Sequence, residues 1–447
     1  TGLAYLISGE TEKAEQRFKK ALEVDPNFIT AYANLARLAI QKENTELAAE
    51  YLNKALKKSP KNSTILMGLA DLAKRKGDQG RVNQLLEQAH NGEPKSSRPG
   101  LILAQGYLSE GQPLKALRLT SQLATEFPKE PATQAMHGKV QLAAGDAINA
   151  VTTFKRLVDL VKNAESLQML GNAQQAAKQL DDARASYKQA LEANPGYVPA
   201  MIGQYGLELS AGNLDLAISH AQAIQKALPE QSIGFEFEGT AHAFQNKPKQ
   251  AIPLYEKAFN MQASEKVAIL LANQYVAMGD TEKGVSMLRD WVEKNPQQLQ
   301  PKLSLSMMLL GQGRHDESIT EYEKVIKADK DNIIALNNLA WLYSTKGDKR
   351  ATEVGKRAYE LAPKRPEIID TYGWILVQQG DFKTGTEILK QAAELAPKNQ
   401  EIVYHLGYAL NKKGETQQAK AYLKRAISID EKSELAKTAQ ELLGSLN

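Results

Sequence analysis

The sequence predicts an all-α protein, a solenoid of about thirteen helix-turn-helix repeats. Three observations support this prediction: related residues recur every 33 or 34 positions, two columns of the repeat carry small side chains, and a third column is mostly glycine. A fixed period of this length indicates stacked supersecondary units and not closed globular domains. Composition agrees, because 42% hydrophobic and 6% aromatic residues suit many small helical cores.

The period is most visible in a proline column, which we number position 32 of the repeat. Nine of its thirteen members are proline, and every step along it is 33 or 34 residues. The column comprises Pro26, Pro60, Pro94, Pro128, Lys162, Pro195, Pro229, Ala263, Pro296, Lys330, Pro363, Pro397 and Glu431. Four other columns of the repeat keep the same spacing, so the register is clear even in the four repeats in which another residue replaces this proline.

Two columns of small residues predict where the two helices of each repeat cross. Position 8 is small in twelve of thirteen repeats, with Tyr205 the exception, and position 20 is alanine in nine. Small side chains let two antiparallel helices approach closely. Large apolar residues at position 24 are expected to fill the space between hairpins, among them Phe18, Phe154, Tyr187, Tyr255 and Tyr322.

Glycine and proline predict the turns and the helix starts. Position 15 is glycine in ten of thirteen repeats, which predicts a left-handed residue at the end of each first helix. Seven of the eight remaining prolines fall in the first turn of a predicted helix, where proline is tolerated. Pro253 falls inside a helix and should bend it. One residue is missing from the turn between Gly347 and Ala351, so that hairpin should be slightly distorted.

The ends of the chain differ from the repeats between them. We expect the solenoid to occupy residues 1–431 and a C-terminal capping helix to occupy residues 432–447. The capping helix carries apolar residues on one predicted face: Leu435, Ala439, Leu442 and Leu443.

The first repeat is truncated at its N-terminus, because Thr1 already corresponds to position 7 of a repeat. We therefore expect the chain to be a fragment from which upstream repeats or a targeting segment are missing. Leu3 and Leu6 would then lie on an uncovered face, through which the fragment could self-associate.

Charge, hydropathy and cysteine content limit the kinds of partner and the chemistry that this chain can have. The formal charge is +4, with 56 basic and 52 acidic side chains interspersed, so neither nucleic acid nor an anionic membrane surface is an expected partner. No signal peptide opens the chain, and no run approaches the ~18 apolar residues of a transmembrane helix. The chain has no cysteine, which excludes disulfides and thiolate chemistry and fits either the cytoplasm or the periplasm.

Nothing in the sequence matches a template for catalysis or cofactor binding. The glycines follow the turns of the repeat, and no phosphate-binding loop, nucleotide fingerprint or GxSxG elbow occurs. The six histidines lack metal-ligand spacing and are interpreted as surface or packing residues: His90, His137, His220, His242, His315 and His405. The sequence therefore predicts no metal, no cofactor and no enzyme.

A helix-turn-helix period of 34 residues resembles the tetratricopeptide repeat (TPR) family along the whole chain. That resemblance implies a right-handed superhelix whose concave groove is lined by positions 2, 5, 9, 12 and 13 of the first helices. In the last three repeats positions 5 and 9 carry Asn337, Trp341, Asp370, Trp374, Tyr404 and Tyr408. Flat rings beside polar groups suit an extended peptide or a sugar ring. Alternatively, the rings pack only against each other or against the next hairpin.

Three segments of the last repeats resemble a narrower family. They are 335–343 (ALNNLAWLY), 370–381 (DTYGWILVQQGD) and 401–410 (EIVYHLGYAL), accompanied by 361–370 (LAPKRPEIID). They are similar to the C-terminal repeats of PrsT, the TPR lipoproteins of exosortase/PEP-CTERM exopolysaccharide systems in Gram-negative bacteria. This resemblance implies a periplasmic protein anchored in the outer membrane through a lipid-bearing cysteine upstream of Thr1. It implies no catalytic residue.

Three functions remain open at this point. The first is a scaffold that binds protein or peptide partners in its groove, during exopolysaccharide export or the sorting of PEP-CTERM surface proteins. The second is a direct glycan-binding protein that uses the C-terminal aromatic residues. The third is the substrate-recognition arm of an enzyme whose catalytic domain lies outside this fragment.

Overall fold

The computed structural model describes residues 2–446, and all regular secondary structure in this range is helical. Consecutive helices pair as thirteen hairpins, α1 with α2 through α25 with α26, and α27 follows them. The predicted all-α repeat fold is therefore confirmed, whereas the handedness of the superhelix stays a prediction. None of these helices is long and apolar enough to cross a membrane.

By their contacts the described residues divide after Ala227 into two compact units. The first unit contains α1 (Gly2–Ile7), α2 (Thr11–Val24), α3 (Ile29–Gln41), α4 (Thr45–Lys58), α5 (Ser63–Arg75), α6 (Gln79–Gly92), α7 (Arg98–Ser109), α8 (Pro113–Glu126), α9 (Pro131–Ala143), α10 (Ala147–Leu160), α11 (Ala164–Ala176), α12 (Leu180–Ala193), α13 (Val198–Ser210) and α14 (Leu214–Ala227).

The second unit begins at Leu228. It contains α15 (Ile233–Phe244), α16 (Pro248–Met261), α17 (Glu265–Ala277), α18 (Thr281–Lys294), α19 (Leu299–Gly311), α20 (His315–Ala328), α21 (Ile333–Thr345), α22 (Arg350–Leu361), α23 (Pro366–Gln378), α24 (Phe382–Leu395), α25 (Gln400–Lys413), α26 (Thr416–Ile429) and α27 (Glu434–Gly444). The repeat pattern keeps its register across Ala227 and gives no sign of this division. A single solenoid over residues 1–431 therefore stays a prediction.

The turns follow the glycine column. All ten glycines of position 15 have a φ between 68° and 90°, which confirms the predicted left-handed conformation. In the other three repeats Glu43, Lys178 and Asn246 occupy the same position and adopt the same conformation, with φ values of 58°, 61° and 56°. The repeat therefore imposes this turn even where the side chain disfavours it.

The two helices of a hairpin meet where the sequence places its small residues. The ring of Phe154 lies over Gly138 of the same hairpin, so closely that a Cβ on the glycine would be 2.5 Å from the ring. The ring of Tyr187 lies between Gly171 of its own hairpin and Gly203 of the next one. Rings at position 24 thus fill space within a hairpin as well as between hairpins, and Tyr187, Tyr255 and Tyr322 are fully buried.

The prolines outside the proline column and the shortened turn of repeat eleven correspond to features of single helices. Pro113 and Pro248 open α8 and α16, whereas Pro253 lies inside α16. The helix runs on through Pro253, and the bend expected there stays a prediction. The repeat that lacks one turn residue has a second helix of 12 residues, α22, where all other second helices have 14.

The last helix, α27, packs on α25 and α26. It buries Ala436 and Ala439, while Leu435, Leu442 and Leu443 are half-buried. The contact face is therefore turned slightly from the predicted one. At the other end α1 has six residues, and its Leu3 is exposed. Leu6 is half-buried against the cluster that contains Ala14 and Phe18, so it does not belong to the uncovered face expected there.

Candidate functional site

The predicted site residues lie on three neighbouring first helices of the second unit. These helices, α21, α23 and α25, belong to repeats eleven, twelve and thirteen, and α23 contacts both of the others. Positions 5 and 9 are four residues apart, so on each helix they share one face. Small residues at position 8 bring the helices of each hairpin close together, and successive hairpins then place these faces side by side.

A pocket of about 420 Å³ opens between the three helices. Four of the six predicted residues line it, namely Asn337, Trp341, Asp370 and Trp374. The other residues that line it are Leu310, Asn338, Glu367, Thr371, Asn399, Glu401, Ile402 and His405. Tyr404 and Tyr408 are not among these residues, so the structure brings together only part of the predicted aromatic stripe.

The floor of the pocket contains a pair that the sequence analysis missed. Asp370 and His405 are both buried, and Nδ1 of the imidazole lies 2.9 Å from Oδ2 and 3.0 Å from Oδ1 of the carboxylate. A buried carboxylate requires a partner, and the imidazole supplies it. The sequence predicts only a surface or packing role for His405, because no motif surrounds it. Its position, 35 residues from Asp370, is the one hint of a contact between adjacent repeats.

Trp374 belongs partly to the core. Its ring stacks on His405 with 4.0 Å between ring centroids and 14° between planes, and it meets Tyr408 edge-on at 5.2 Å. Both Trp374 and Tyr408 pack against a buried apolar cluster that includes Leu406 and Ile369. For these two rings the structure favours the packing interpretation.

Trp341 differs, although it occupies the same position of the repeat. Its side chain is 41% exposed, and its ring meets His315 edge-on at 5.8 Å. Trp341 also lines the pocket. Trp341 is therefore the aromatic surface of this site that a ligand could cover.

The two adjacent asparagines of α21 differ in their hydrogen bonding. Asn338 donates from Nδ2 to the hydroxyl of Tyr322 at 2.7 Å, so it helps to fix the buried ring of the preceding hairpin. Oδ1 of Asn337 is buried and accepts no hydrogen bond within the described part of the chain. An unpaired acceptor is costly to bury, and Asn337 lines the pocket, so a ligand donor that reaches this oxygen would satisfy it.

Tyr404 lies beside this site on α25. Burial, followed by the nearby hydroxyl of Tyr408, raises the pKa of Tyr404. Its hydroxyl therefore remains a donor at neutral pH. Across residues 2–446 no group of three or more histidine, aspartate or glutamate side chains is arranged to hold a metal ion.

Two protein-family models, both described as tetratricopeptide repeat, match this chain. One matches residues 5–72 and 376–443, and the other matches residues 169–232 and 269–333. Together the four segments cover more than half of the sequence and reach into both units.

Curated relatives share parts of their length with this chain. The TPR repeat-containing protein PA4667 of Pseudomonas aeruginosa is 28% identical over 214 residues, which is 46% of this chain and 30% of that protein. The human protein O-mannosyl-transferase TMTC3 is 25% identical over 294 residues, which is 61% of this chain and 29% of that protein. The chain thus spans less than a third of the length of each of these relatives.

Solved structures resemble the chain at lower identity. Yeast Tom70 is 16% identical, with 93% of this chain and 95% of that chain covered and a TM-score of 0.46. A tetratricopeptide repeat protein from Parabacteroides merdae is 18% identical, with 51% of this chain and 91% of that chain covered and a TM-score of 0.43.

Proposed function

Because this chain belongs to the tetratricopeptide repeat family, we propose that it is a non-catalytic scaffold that binds an extended segment of a partner protein on α21, α23 and α25. The observation that carries the proposal is the pocket between these helices, with Trp341 exposed at its side and an acceptor of Asn337 that is unpaired within the described part of the chain. A rigid ring next to polar groups gives contact area and orientation at little entropic cost.

We further propose that the partner belongs to exopolysaccharide export or to PEP-CTERM surface-protein sorting in the periplasm. The resemblance of segments 335–343, 370–381 and 401–410 to the PrsT lipoproteins supports this setting. Two of these segments contribute α21 and α25 residues to the pocket, and the third contributes Asp370 and Trp374. Nine of the twelve residues that line the pocket thus lie in the three segments that carry the resemblance.

A photo-crosslinking experiment tests the scaffold. A photoreactive phenylalanine analogue replaces Trp341, and the protein is irradiated in periplasmic extract of a Gram-negative bacterium with an exosortase system. We expect a discrete crosslinked product that contains an exopolysaccharide-export or PEP-CTERM component. Crosslinks to cytosolic chaperones alone would contradict the periplasmic assignment.

A matched control distinguishes specific binding at the pocket from nonspecific crosslinking to exposed apolar residues. Leu395 is a similarly exposed apolar residue, 52% accessible, on the second helix α24 of the same unit. The same analogue at Leu395 should give no product. Equal products from both positions would mean that the pocket is not the binding surface.

A second candidate function is direct glycan binding, which the open face of Trp341 favours because sugar rings stack on exposed aromatic rings. Titration with soluble exopolysaccharide fragments, followed by tryptophan fluorescence, tests it. The Trp341→Ala variant should abolish the fluorescence change. A flat titration of the unaltered protein would remove this candidate.

A third candidate is the recognition arm of an enzyme. The observation in its favour is the partial match to a protein named as an O-mannosyl-transferase. The sequence encoded upstream of Thr1 decides between the candidates: a folded catalytic domain there would support the enzyme, and a lipid-attachment motif would support the lipoprotein.

A further inference from the structure

We propose that the pocket between α21, α23 and α25 selects a cationic side chain, arginine or lysine, from the bound segment. This inference rests on the proposed function and adds the chemistry of the partner. It follows from the charges, the exposed ring and the unpaired acceptor that surround the pocket.

The charge around the pocket has one sign. Asp370, Glu367 and Glu401 contribute carboxylates, and no lysine or arginine lines the pocket. Asp370 is already engaged by His405. Glu367 and Glu401 are exposed, and neither carboxylate forms an ion pair within residues 2–446. Two carboxylates of the pocket are therefore available to a cation.

The helix N-termini beside these carboxylates offer little to an anion. Glu367 and Glu401 lie in the first turns of α23 and α25. Pro366 opens α23 and has no N–H to donate, while the side chain of Asn399 already accepts the N–H of Ile402 at the start of α25. Available backbone donors are thus reduced at both ends, and a carboxylate ligand would meet like charge.

The remaining surfaces of the pocket suit a donor-rich cation. Trp341 offers a partly exposed aromatic ring, and a guanidinium or ammonium group is attracted to the face of such a ring. Asn337 offers a buried acceptor that has no partner among residues 2–446. Arginine and lysine carry only donors, so they match the acceptor, the ring and the carboxylates together. Arginine fits best, because its planar group can stack and donate at once.

The test uses capped peptides of the form acetyl-Gly-Ser-Xaa-Ser-Gly-amide, in which Xaa is arginine, lysine, citrulline, leucine or glutamate. Citrulline keeps the shape of arginine and removes its charge. Binding is followed through the indole N–H signals of the three tryptophans by NMR. We expect the arginine peptide to bind about fivefold more tightly than the citrulline peptide, since two exposed carboxylates each contribute a fraction of a kcal/mol. The signal of Trp341 should move, and that of Trp291 should not.

Variants assign the preference to the pocket. The double substitution Glu367→Gln and Glu401→Gln should reduce the affinity for the arginine peptide to that for the citrulline peptide. The control is Glu394→Gln, at an exposed carboxylate on α24 that also lacks an ion pair within the described part of the chain. It should leave both affinities unchanged.

The outcomes separate this inference from the proposed function. If the leucine or glutamate peptide binds more tightly than the arginine peptide and moves the Trp341 signal, the cation preference is wrong while peptide binding at this face stands. An arginine preference that survives the double substitution also overturns the inference. If no peptide moves the Trp341 signal, both the inference and the proposed binding face are wrong.

Discussion

At the scale of single residues, the close approach of helices depends on glycine where a ring lies over the backbone. At Gly138 an added Cβ would be 2.5 Å from Phe154, whereas at Gly206 it would meet nothing within 4 Å. Both glycines lie inside helices, α9 and α13. A substitution at Gly138 therefore tests the steric requirement for glycine, whereas one at Gly206 tests helix propensity alone.

We predict that Gly138→Ala lowers the free energy of unfolding by about 1–3 kcal/mol, because the ring of Phe154 must move in a packed core. Gly206→Ala should raise it by up to ~1 kcal/mol, because alanine is the better helix former. Urea unfolding followed by circular dichroism measures both. Adding Phe154→Leu to Gly138→Ala should restore part of the loss, and equal stability of the two single variants would refute the steric explanation.

The turn position gives a second residue-scale prediction. Glu43 is exposed and held at a φ of 58°, a conformation that costs a non-glycine residue about 1 kcal/mol or more. Glu43→Gly should therefore stabilise the protein, by less than ~1 kcal/mol, because glycine also makes the unfolded chain more flexible. The reverse change, Gly77→Ala at a φ of 75°, should destabilise it. Thermal unfolding of the two variants checks the opposite signs.

At the scale of the element, α16 carries the most informative irregularity. Pro253 lies inside this helix with its side chain exposed, so it breaks one backbone hydrogen bond without filling a core position. Pro253→Ala should raise the stability of the helix by about 1–3 kcal/mol. The control, Pro248→Ala at the first helical residue, should change stability little, because that N–H has no partner within the helix.

Amide hydrogen exchange in α15 and α16 is the appropriate measurement, since the effect is local. Slower exchange around residue 253 is expected in Pro253→Ala. A loss of protection in that variant would show that the proline is needed for packing.

At the scale of the whole molecule, half-buried histidines link stability to acidity. Burial lowers the pKa of His137 and of His220 below the ordinary value of 6.5. The unfolded chain then binds more protons than the folded chain below about pH 6.5. Stability should therefore fall as the pH drops from neutral through the lowered pKa values.

We predict that His137→Gln combined with His220→Gln gives a shallower loss of stability between pH 7 and 5. The measurement is the free energy of unfolding in urea at several pH values. Above pH 7.5 the variant and the unaltered protein should show parallel pH dependence. An unchanged acid slope would mean that other groups govern the acid stability.

The repeat pattern determined the family, the thirteen hairpins, the positions of the turns and the ring columns of the core. These features are set within one or two helices, and so spacing along the chain was sufficient to predict them. The left-handed glycines and the buried Tyr187, Tyr255 and Tyr322 were all predicted in this way.

The tertiary structure alone decided how equivalent positions differ. Trp341 and Trp374 occupy one column, yet one ring is open and the other stacks on His405, because burial depends on the side chains of the neighbouring repeat. The Asp370–His405 pair was hidden for the same reason. The division after Ala227 is visible only in the contacts of the folded chain. Periodicity records what each repeat has in common, whereas contacts between repeats depend on the residues in which they differ.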